Sequence, residues 1–540
     1  MKQVLVIFYF ILFSCQVAIS QTWPKIFGIE EHAWSRDVIE YYDKGYIVLG
    51  QVDPGFAGVN QTFGWIIKTD INGNQLWEKK IYNENYSNFS SNLNLSTDAG
   101  IILIGSTTKL DSNNTDIMFI KLDACGNREW CTLLSTPGCS DYGIKILPIE
   151  DGYISLLSYY NEDITHKRVW TLKLDLSGNV IWSKAYLYEP EYWSEQSSDL
   201  MLTEDGGFLI TAYGWYDPAG GLNGKLRSIL IKTDNEGEEQ WITRWGELSD
   251  YISLMPMYPT MDDQGYYYCT STHYRKLPVE GYVPAFIKTA PNGQEQKAVD
   301  LMAGTEAGIA STLHFLYPDT LLLACGWKYP LLDYSEGVIK CDTAGNNIKV
   351  KILIDSVINT FEGSAITFDK KMVLAGGFTK LNITSDIYLF KINSNLDLDS
   401  AYTAPRTYDS LCPHPIVSDT FDLEGCGIYT SLKDPVKEPE YFKLKAWPVP
   451  AIEMFKVQIP DQLSAESSMN GVHINIVYHQ WDKTTLQIID ITGKLIFTKE
   501  VYFNDKEVEI NCSGWPAGFY AARLVYKNMK VGEVKVMVVK

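Results

Sequence analysis

The sequence lacks the short motifs that mark many enzymes and metal sites. Its 540 residues contain no Gly-x-Ser-x-Gly elbow, no phosphate-binding loop, no Cys-x-x-Cys pair and no His-Glu-x-x-His. The seven histidines also form no His-x-His spacing, so we expect neither a zinc site nor a cofactor. Active sites assembled from distant residues leave no such motif, and the absence therefore argues only weakly against an enzyme.

Positive charge is scarce. The chain has 46 Lys and Arg against 66 Asp and Glu, a formal net charge of −20. Nucleic acids and anionic membrane surfaces require a basic face, so neither is an expected partner. The acidic residues are spread along the chain, which favours a solvated surface. One segment, 393–399, alternates oxygen ligands as a calcium loop does, but Leu398 and Ala404 stand where such a loop needs Gly and Glu.

Long apolar runs are absent after residue 20. Lys2, the apolar run 4–13 and Ala18-Ile19-Ser20 predict a signal peptide over residues 1–20, too short to span a bilayer. A rival interpretation is a lipoprotein signal with lipidated Cys15, which the bulky Phe13 fits poorly. The remainder is predicted to have no transmembrane segment, to pass through the periplasm as a monomer, and to comprise two or more domains because of its length.

One pattern is present seven times between Ile39 and Ser400. A complete copy has two apolar stretches, a Lys-x-Asp and a Gly-Asn turn followed by Trp, and the lysines of successive copies are 51 to 59 residues apart. The clearest copy runs from Lys68 to Trp77, and the last three copies lack the Trp. A repeat of this length cannot bury its apolar face alone, so the repeats must stack on one another.

Each repeat predicts four short strands. In the first copy, the runs 35–40, 46–50, 64–68 and 75–79 are rich in aromatic and β-branched residues and are bounded by Gly, Asn and Asp. Four strands in about 50 residues is the proportion of a β-propeller blade. The sequence therefore predicts an all-β protein in which residues 21–405 form a seven-bladed β-propeller.

The repeated tryptophans are predicted to pack between blades, because a large ring at a fixed strand position buries much apolar area. They are Trp77, Trp130, Trp182 and Trp241, and Trp23 stands in a similar pattern ahead of the first repeat. The seventh repeat has Ser400 where Trp is expected. We therefore predict that the strand around Trp23 pairs into the last blade, which would remove an open sheet edge.

Nine cysteines remain once the signal peptide is excluded, and an oxidising compartment favours disulfides. Cys125 and Cys131 flank a Gly-Asn turn and are predicted to be bridged. Cys412 and Cys426 are predicted to clip a Pro-rich segment that has no other anchor. The odd total leaves at least one thiol free, with buried Cys325 or Cys341 as candidates.

The character of the chain changes after the seventh repeat. Residues 406–440 are predicted to be a Cys-clipped segment and linker, because 431–440 is charged and interrupted by proline. A new pattern of seven short strands over residues 441–540 predicts a small Ig-like β-sandwich as a second domain.

The C-terminal motifs carry a resemblance. Four of them occur in order: Trp447-Pro448-Val449-Pro450, the run 486–494 with Asp490 and Gly493, the run 514–520 with Gly518 and Tyr520, and the terminal strand with Lys535. Together they resemble the type A C-terminal sorting domain of the type IX secretion system of Bacteroidota. Trp447 and Val449 depart from the usual Tyr-Pro-Asn-Pro opening.

This resemblance implies export to the cell surface or the medium, with the type IX machinery and its sorting protease as partners. It also implies that Asp490, Gly493, Gly518 and Tyr520 shape turns and that the terminal strand through Lys535 is read by the exporter. It says nothing about the activity of the propeller.

For the propeller, we expect a binding or adhesion module for a surface glycan or protein, with a polysaccharide hydrolase or lyase as the alternative. Aromatic-rich stretches at 186–193 and 213–217 could stack on sugars. Carboxylates and Arg gathered at the centre of the propeller would favour the enzyme, and an uncharged centre would oppose it.

Overall fold

The computed structural model describes residues 23–28, 32–53, 61–83, 85–110, 114–135, 140–160, 167–186, 195–216, 225–245, 253–275, 280–302, 304–330, 333–358, 361–380, 384–401, 403–404, 406–429, 442–458, 464–469, 472–477, 483–490, 494–502, 505–526 and 529–540. These residues contain β-strands and no α-helix, which confirms the all-β prediction. The chain divides into two compact units: residues 1–113, 117–132 and 253–427, and residues 114–116, 133–252 and 428–540.

The first unit carries the sheets of repeats 1, 2, 5, 6 and 7. Each contains four consecutive antiparallel strands, except that the seventh is completed from elsewhere. The strands of sheets 1 and 2 are β2 (His32–Glu40), β3 (Tyr46–Asp53), β4 (Phe63–Thr69), β5 (Gln75–Ile81), β6 (Tyr86–Leu95), β7 (Ile101–Lys109), β8 (Thr115–Leu122) and β9 (Arg128–Leu134). Sheets 5 and 6 comprise β18 (Ser253–Met261), β19 (Tyr267–Arg275), β20 (Gly281–Thr289), β21 (Glu295–Asp300), β22 (Ala307–Tyr317), β23 (Thr320–Lys328), β24 (Ser335–Asp342) and β25 (Lys349–Asp355).

The seventh sheet is closed by the N-terminal strand, as the sequence predicts. Its own strands are β27 (Phe361–Ile366), β28 (Met372–Lys380) and β29 (Thr384–Ile392), with the short β26 (Val357–Ile358) beside β28. Strand β1 (Lys25–Phe27) pairs antiparallel with β29 and supplies the missing fourth strand. Sheets 7 and 1 share one core that includes Trp23, so the first repeat packs on the last.

The same stacking continues through the first unit. Sheets 5 and 6 share a buried core, and so do sheets 6 and 7. The first strand of sheet 1 lies against that of sheet 2. Each of these sheets therefore buries its apolar faces against a neighbouring repeat, as expected for units that are not stable alone. The closed seven-bladed ring stays a prediction.

The second unit carries the sheets of repeats 3 and 4, which share one core. Their strands are β10 (Tyr142–Ile149), β11 (Gly152–Tyr160), β12 (Lys167–Asp175), β13 (Val180–Tyr186), β14 (Glu195–Leu202), β15 (Phe208–Tyr216), β16 (Lys225–Thr233) and β17 (Glu239–Arg244). The same unit holds the C-terminal domain. There, a five-stranded sheet and a three-stranded sheet enclose a common core that contains Phe455, Leu486 and Val536.

The C-terminal strands are ordered differently from those of the repeats. The five-stranded sheet has the order β32 (Phe442–Lys443), β41 (Met529–Val538), β40 (Gly518–Tyr526), β37 (Lys483–Asp490) and β38 (Leu495–Tyr502). The second sheet comprises β33 (Ala446–Trp447), β34 (Met454–Gln458) and β39 (Glu507–Asn511), and β35 (Ser464–Met469) pairs with β36 (Val472–Val477). The sandwich form of this domain stays a prediction.

Residues 401, 403–404 and 406–429, which we call the strap, run along the outer strands of sheets 1 and 2. Within the strap, β30 (Asp419–Phe421) pairs parallel with β5, and β31 (Gly427–Tyr429) pairs with β9. The strap also docks on sheet 1 through polar contacts, because the Tyr408 hydroxyl accepts the Ile71 N–H at 2.9 Å. It therefore covers two sheet edges that would otherwise be open.

The predicted disulfide pairing is wrong, although the same four cysteines are bridged. Cys125 is bonded to Cys412 and Cys131 to Cys426, with Cα atoms 5.5 and 4.8 Å apart. Cys125 lies in a turn and Cys131 is the fourth residue of β9. The strap pairs with β9, and both cysteines are bonded to strap residues. The two disulfides therefore tie the strap to sheet 2 rather than to itself. Among the described residues, Cys269, Cys325, Cys341 and Cys512 are buried and form no disulfide, and Cys139 lies outside them.

Candidate functional site

The Lys-x-Asp and Gly-Asn parts of the repeat build a turn between the third and fourth strands. In sheet 1, Asp70 Oδ1 accepts the N–H groups of Asn72 and Asn74, both at 2.8 Å. Gly73 takes a φ of 78°, which favours glycine because it has no Cβ. The same carboxylate contacts recur at Asp123, Asp175, Asp234 and Asp342. In the calcium-like segment, Asn393 Oδ1 makes the equivalent turn bonds to the N–H groups of Asn395 and Asp397. The Asp of the motif is thus used to hold a turn.

The Lys of the motif is also a structural residue. Lys68 Nζ lies 2.5 Å from Asp43 Oδ1, with both side chains almost fully buried. Burial lowers the pKa of Lys68, and the Asp43 carboxylate opposes that shift. A Cβ at Gly45 would lie 2.2 Å from the Thr69 carbonyl oxygen and 2.4 Å from Lys68 Nζ, which explains the glycine just before the second strand. Equivalent lysines pair with Asp98, Asp151 and Asp205.

The repeated tryptophans do not converge on one site. Trp182 lies against Gly237 of the next sheet in the second unit, and Trp23 lies against Gly73 of sheet 1 in the same way. Trp77 is buried and its Nε1 donates to Asp409 Oδ2 of the strap at 3.1 Å. Trp130 and Trp241 are half-buried on their own strands. The tryptophans therefore have separate packing roles and do not form a common site.

The first strand of each sheet also has a shared feature, a break in its pairing with the second strand. Unlike the turns, this feature carries a different residue from sheet to sheet. Every first strand has a shift in register with the second strand, typical of a β-bulge. A bulge leaves one residue unpaired and re-aims its side chain, and bulges are frequent beside active sites. In sheets 1 and 7 the unpaired residues are Arg36 and Glu362.

These two residues form an ion pair. Arg36 Nη1 donates to Glu362 Oε2 at 2.7 Å, and their side chains are 33% and 37% exposed. Arg36 Nε donates to Gln51 Oε1 at 3.2 Å. Gln51 is buried, so it fixes the plane of the guanidinium group. A pair this exposed contributes only about 0–1 kcal/mol to stability, so stability alone does not account for it.

Tyr258 and His314 join the pair from sheets 5 and 6. The Tyr258 hydroxyl donates to the backbone carbonyl of Glu362 at 2.6 Å. The rings of Tyr258 and His314 meet edge to face with centroids 6.0 Å apart, and His314 Nε2 lies 2.8 Å from Ser364 Oγ. We call Arg36, Tyr258, His314, Glu362 and Ser364 the first-strand cluster. It brings together side chains from four separate sheets.

Tyr258 has an unusual backbone. Its φ is 47°, in the left-handed region that bulky residues rarely adopt. Strand β18 shifts register on both sides of Met257, and Tyr258 lies within the second shift, between Met257 and Thr260. Such strain costs about 1–3 kcal/mol and is concentrated at functional sites. The first-strand cluster is therefore the best candidate for a site on the repeats.

Two other polar groups, one in sheet 5 and one in sheet 6, lie outside the first-strand cluster. In sheet 5, His273 Nδ1 lies 2.7 Å from Asp300 Oδ1, and Arg275 donates to the same carboxylate. Burial lowers the pKa of His273, which keeps its ring neutral. In sheet 6, Glu336 is fully buried, and burial raises the pKa of its carboxyl well above the usual range. The described residues contain no group of three potential metal ligands.

The predicted sorting residues are distributed over the C-terminal domain. Asp490 Oδ1 accepts the Lys494 N–H at 3.0 Å, and the Tyr520 hydroxyl donates to the Pro516 carbonyl at 2.8 Å. Pro448 and Pro450 follow β33, Gly518 begins β40, and Lys535 is exposed on β41. Gly493 lies outside the described residues.

Sequence reasoning missed the first-strand cluster. Arg36 lies in the first predicted strand, but a bulge leaves no trace in an apolar pattern. Tyr258, His314 and Glu362 are separated from Arg36 by more than 200 residues of chain. The one usable signal was the charged side chain of Arg36 in the predicted strand 35–40. Of the aromatic-rich stretches, Tyr186 is buried, and residues 187–193 lie outside the described part of the chain.

Comparison with known families identifies one part of the chain. Residues 445–540 match the model of the secretion system C-terminal sorting domain. This match confirms the predicted type IX sorting domain, and the protein is therefore exported to the cell surface or secreted. No helix in the described residues is long and apolar enough to cross a membrane. Comparison with curated proteins finds no match to this chain.

Several solved structures are similar in fold. A protein of unknown function from Bacteroides caccae is 13% identical with a TM-score of 0.33, covering 59% of this chain and 97% of its own. The β-propeller domain of the Trilobed protease from Pyrococcus furiosus is 9% identical with a TM-score of 0.40, covering 69% and 100%. A polysaccharide lyase, an ulvan lyase bound to -[GlcA(1-4)Rha3S]-, is 9% identical with a TM-score of 0.45, covering 67% and 94%. None of these likenesses bears on activity.

Proposed function

We propose that this exported protein is a surface binding module and that the first-strand cluster is its ligand site. The observation that carries the proposal is the strained backbone of Tyr258, which holds its hydroxyl against the backbone of Glu362 beside a half-exposed Arg36. Strain of this kind is retained where a geometry serves a function other than stability. Export places such a site where it meets extracellular glycans or proteins.

An array of glycans and peptides tests this role with the purified full chain. We expect the wild-type protein to retain a ligand from one class and Arg36→Met to lose it, because a half-exposed Arg is a common recognition group. Lys351→Met is a matched control, since Lys351 forms a half-exposed pair with Asp397 away from the cluster. Equal binding by wild type and Arg36→Met would contradict the proposed site.

A polysaccharide lyase or hydrolase is the second candidate. It is favoured by the adjacent phenol of Tyr258 and imidazole of His314, since both groups can transfer protons. The same array, read for cleavage products, separates the two functions. An enzyme predicts cleavage that His314→Gln abolishes while the substrate is still bound, whereas a binding module predicts an intact ligand for both proteins.

A further inference from the structure

The Arg36–Glu362 pair leaves one donor and one acceptor unused. Arg36 uses Nε and Nη1 for its contacts with Gln51 and Glu362. Within the described part of the chain, Arg36 Nη2 and Glu362 Oε1 have no hydrogen-bond partner. Because Nη1 and Oε2 are in contact, the open nitrogen and the open oxygen belong to adjoining groups, whose side chains are 33% and 37% exposed. A ligand can thus approach a guanidinium N–H and a carboxylate oxygen together.

We infer that the first-strand cluster recognises two neighbouring hydroxyl groups of a neutral sugar. This inference rests on the proposed binding function and names its ligand class. A hydroxyl is both a donor and an acceptor, so one hydroxyl accepts from Arg36 Nη2 while its neighbour donates to Glu362 Oε1. Both bonds are charge-assisted, which makes them stronger than bonds between neutral groups. The contact to Gln51 fixes the guanidinium plane before the ligand arrives.

The charge of the site favours a neutral ligand over an ionic one. The Arg and Glu side chains cancel each other, so the pair offers no net charge to an ion. An acidic sugar would place its carboxylate beside Glu362 on a protein whose net charge is −20. A cationic ligand would meet Arg36. A neutral ligand with vicinal hydroxyl groups satisfies both open atoms without such repulsion.

Titration calorimetry with the purified full chain tests the ligand class. The probes are neutral gluco-, manno- and galacto-oligosaccharides and oligouronates of the same length. We expect one neutral series to bind, and Glu362→Gln to weaken it about tenfold or more by removing a charge-assisted bond. The control is Asp397→Asn, which alters a carboxylate that is 63% exposed and lies outside the cluster, and it should leave binding unchanged. The melting temperatures of both variants verify that they are folded.

Each result has a defined meaning. Preference for oligouronates, increased by Glu362→Gln, would overturn the neutral ligand class and leave the binding function in place. Neutral binding that Glu362→Gln does not weaken would overturn the pairing of hydroxyls with this carboxylate. If wild type binds no member of the panel and no ligand on the array, the proposed function fails together with this inference.

Discussion

The turn between the third and fourth strands and the bulge in the first strand occur in the same sheets, yet they are built differently. At the turn, an Asp or Asn accepts the same pair of backbone N–H groups in sheet after sheet. At the bulge, the unpaired residue in the six sheets other than sheet 5 is Arg36, Ser91, Ile144, Ser198, Ser311 or Glu362. The same residue type recurs at the turn because every sheet needs that turn to fold. The residue at the bulge varies because the fold does not require a particular side chain there, so this position can serve a function.

The largest expected effect comes from the buried part of the repeated motif. Lys68→Met leaves Asp43 as an uncompensated buried charge, so we expect a loss of about 3–5 kcal/mol in unfolding free energy. Lys173→Met is the matched control because its partner Asp151 is 64% exposed, and it should cost only about 0–1 kcal/mol. Urea denaturation measures both. If Lys68→Met and Lys173→Met lost equally little unfolding free energy, the burial of the Lys68–Asp43 pair would not contribute to its effect.

The strap comes next in expected effect. Replacing Cys412 and Cys426 together with Ser removes both links between the strap and sheet 2. Loss of one native disulfide typically costs about 2–5 kcal/mol, and we expect the double variant to lose at least that much. Hydrogen exchange should rise at β5 and β9, whose edges the strap covers. The Cys341→Ser variant, which alters a buried cysteine that forms no disulfide, is the control for loss of a cysteine alone.

Unchanged exchange at β5 and β9 in the double variant would mean that the strap is held by its hydrogen bonds without the disulfides. Peptide mapping under non-reducing conditions checks the pairing itself. It should recover Cys125 linked to Cys412 and Cys131 linked to Cys426.

The buried carboxyl of Glu336 predicts a pH dependence of intermediate size. Burial raises its pKa in the folded state, so the folded protein holds the proton more tightly than the unfolded chain does. This contribution is fully present below the unfolded pKa of about 4.3 and is lost as the pH rises toward the raised value. Gln cannot ionise, so Glu336→Gln should be more stable than wild type at pH 7, where the contribution of the wild-type carboxyl has been lost.

Melting temperatures between pH 5 and pH 8 test this prediction. The gap between Glu336→Gln and wild type should widen as the pH rises. The control Glu306→Gln changes a carboxylate that is 51% exposed and should shift the curve little at any pH. A gap that stays constant with pH would show that Glu336 titrates normally.

The smallest expected change in stability belongs to the first-strand cluster. Arg36→Met removes a half-exposed ion pair and should alter the unfolding free energy by about 0–1 kcal/mol. The same variant is expected to lose ligand binding. Differential scanning fluorimetry, compared with the array, separates the two effects. A large drop in melting temperature would show that Arg36 is needed for stability, as the residues of the repeated turn are.

Much of the fold could be predicted from local pattern. The strands alternate with Gly and Asn turns, and Trp23 resembles the fourth-strand tryptophans closely enough to predict that β1 pairs into sheet 7. The disulfides could not be predicted in the same way. Neighbouring cysteines suggest local bridges, but a strap that pairs with β9 brings Cys412 and Cys426 to residues 287 and 295 positions away.

The amino-acid sequence by itself determined the repeats, the turn chemistry and the sorting domain, because each depends on residues close together in the chain. Only the tertiary structure decided which cysteines meet and that Arg36, Tyr258, His314 and Glu362 lie together. The physical reason is that stacking of sheets brings distant first strands into contact, and a bulge then turns one side chain out of the pairing pattern. Neither the stacking nor the bulge changes the local alternation of apolar and polar residues, so neither can be predicted from that alternation.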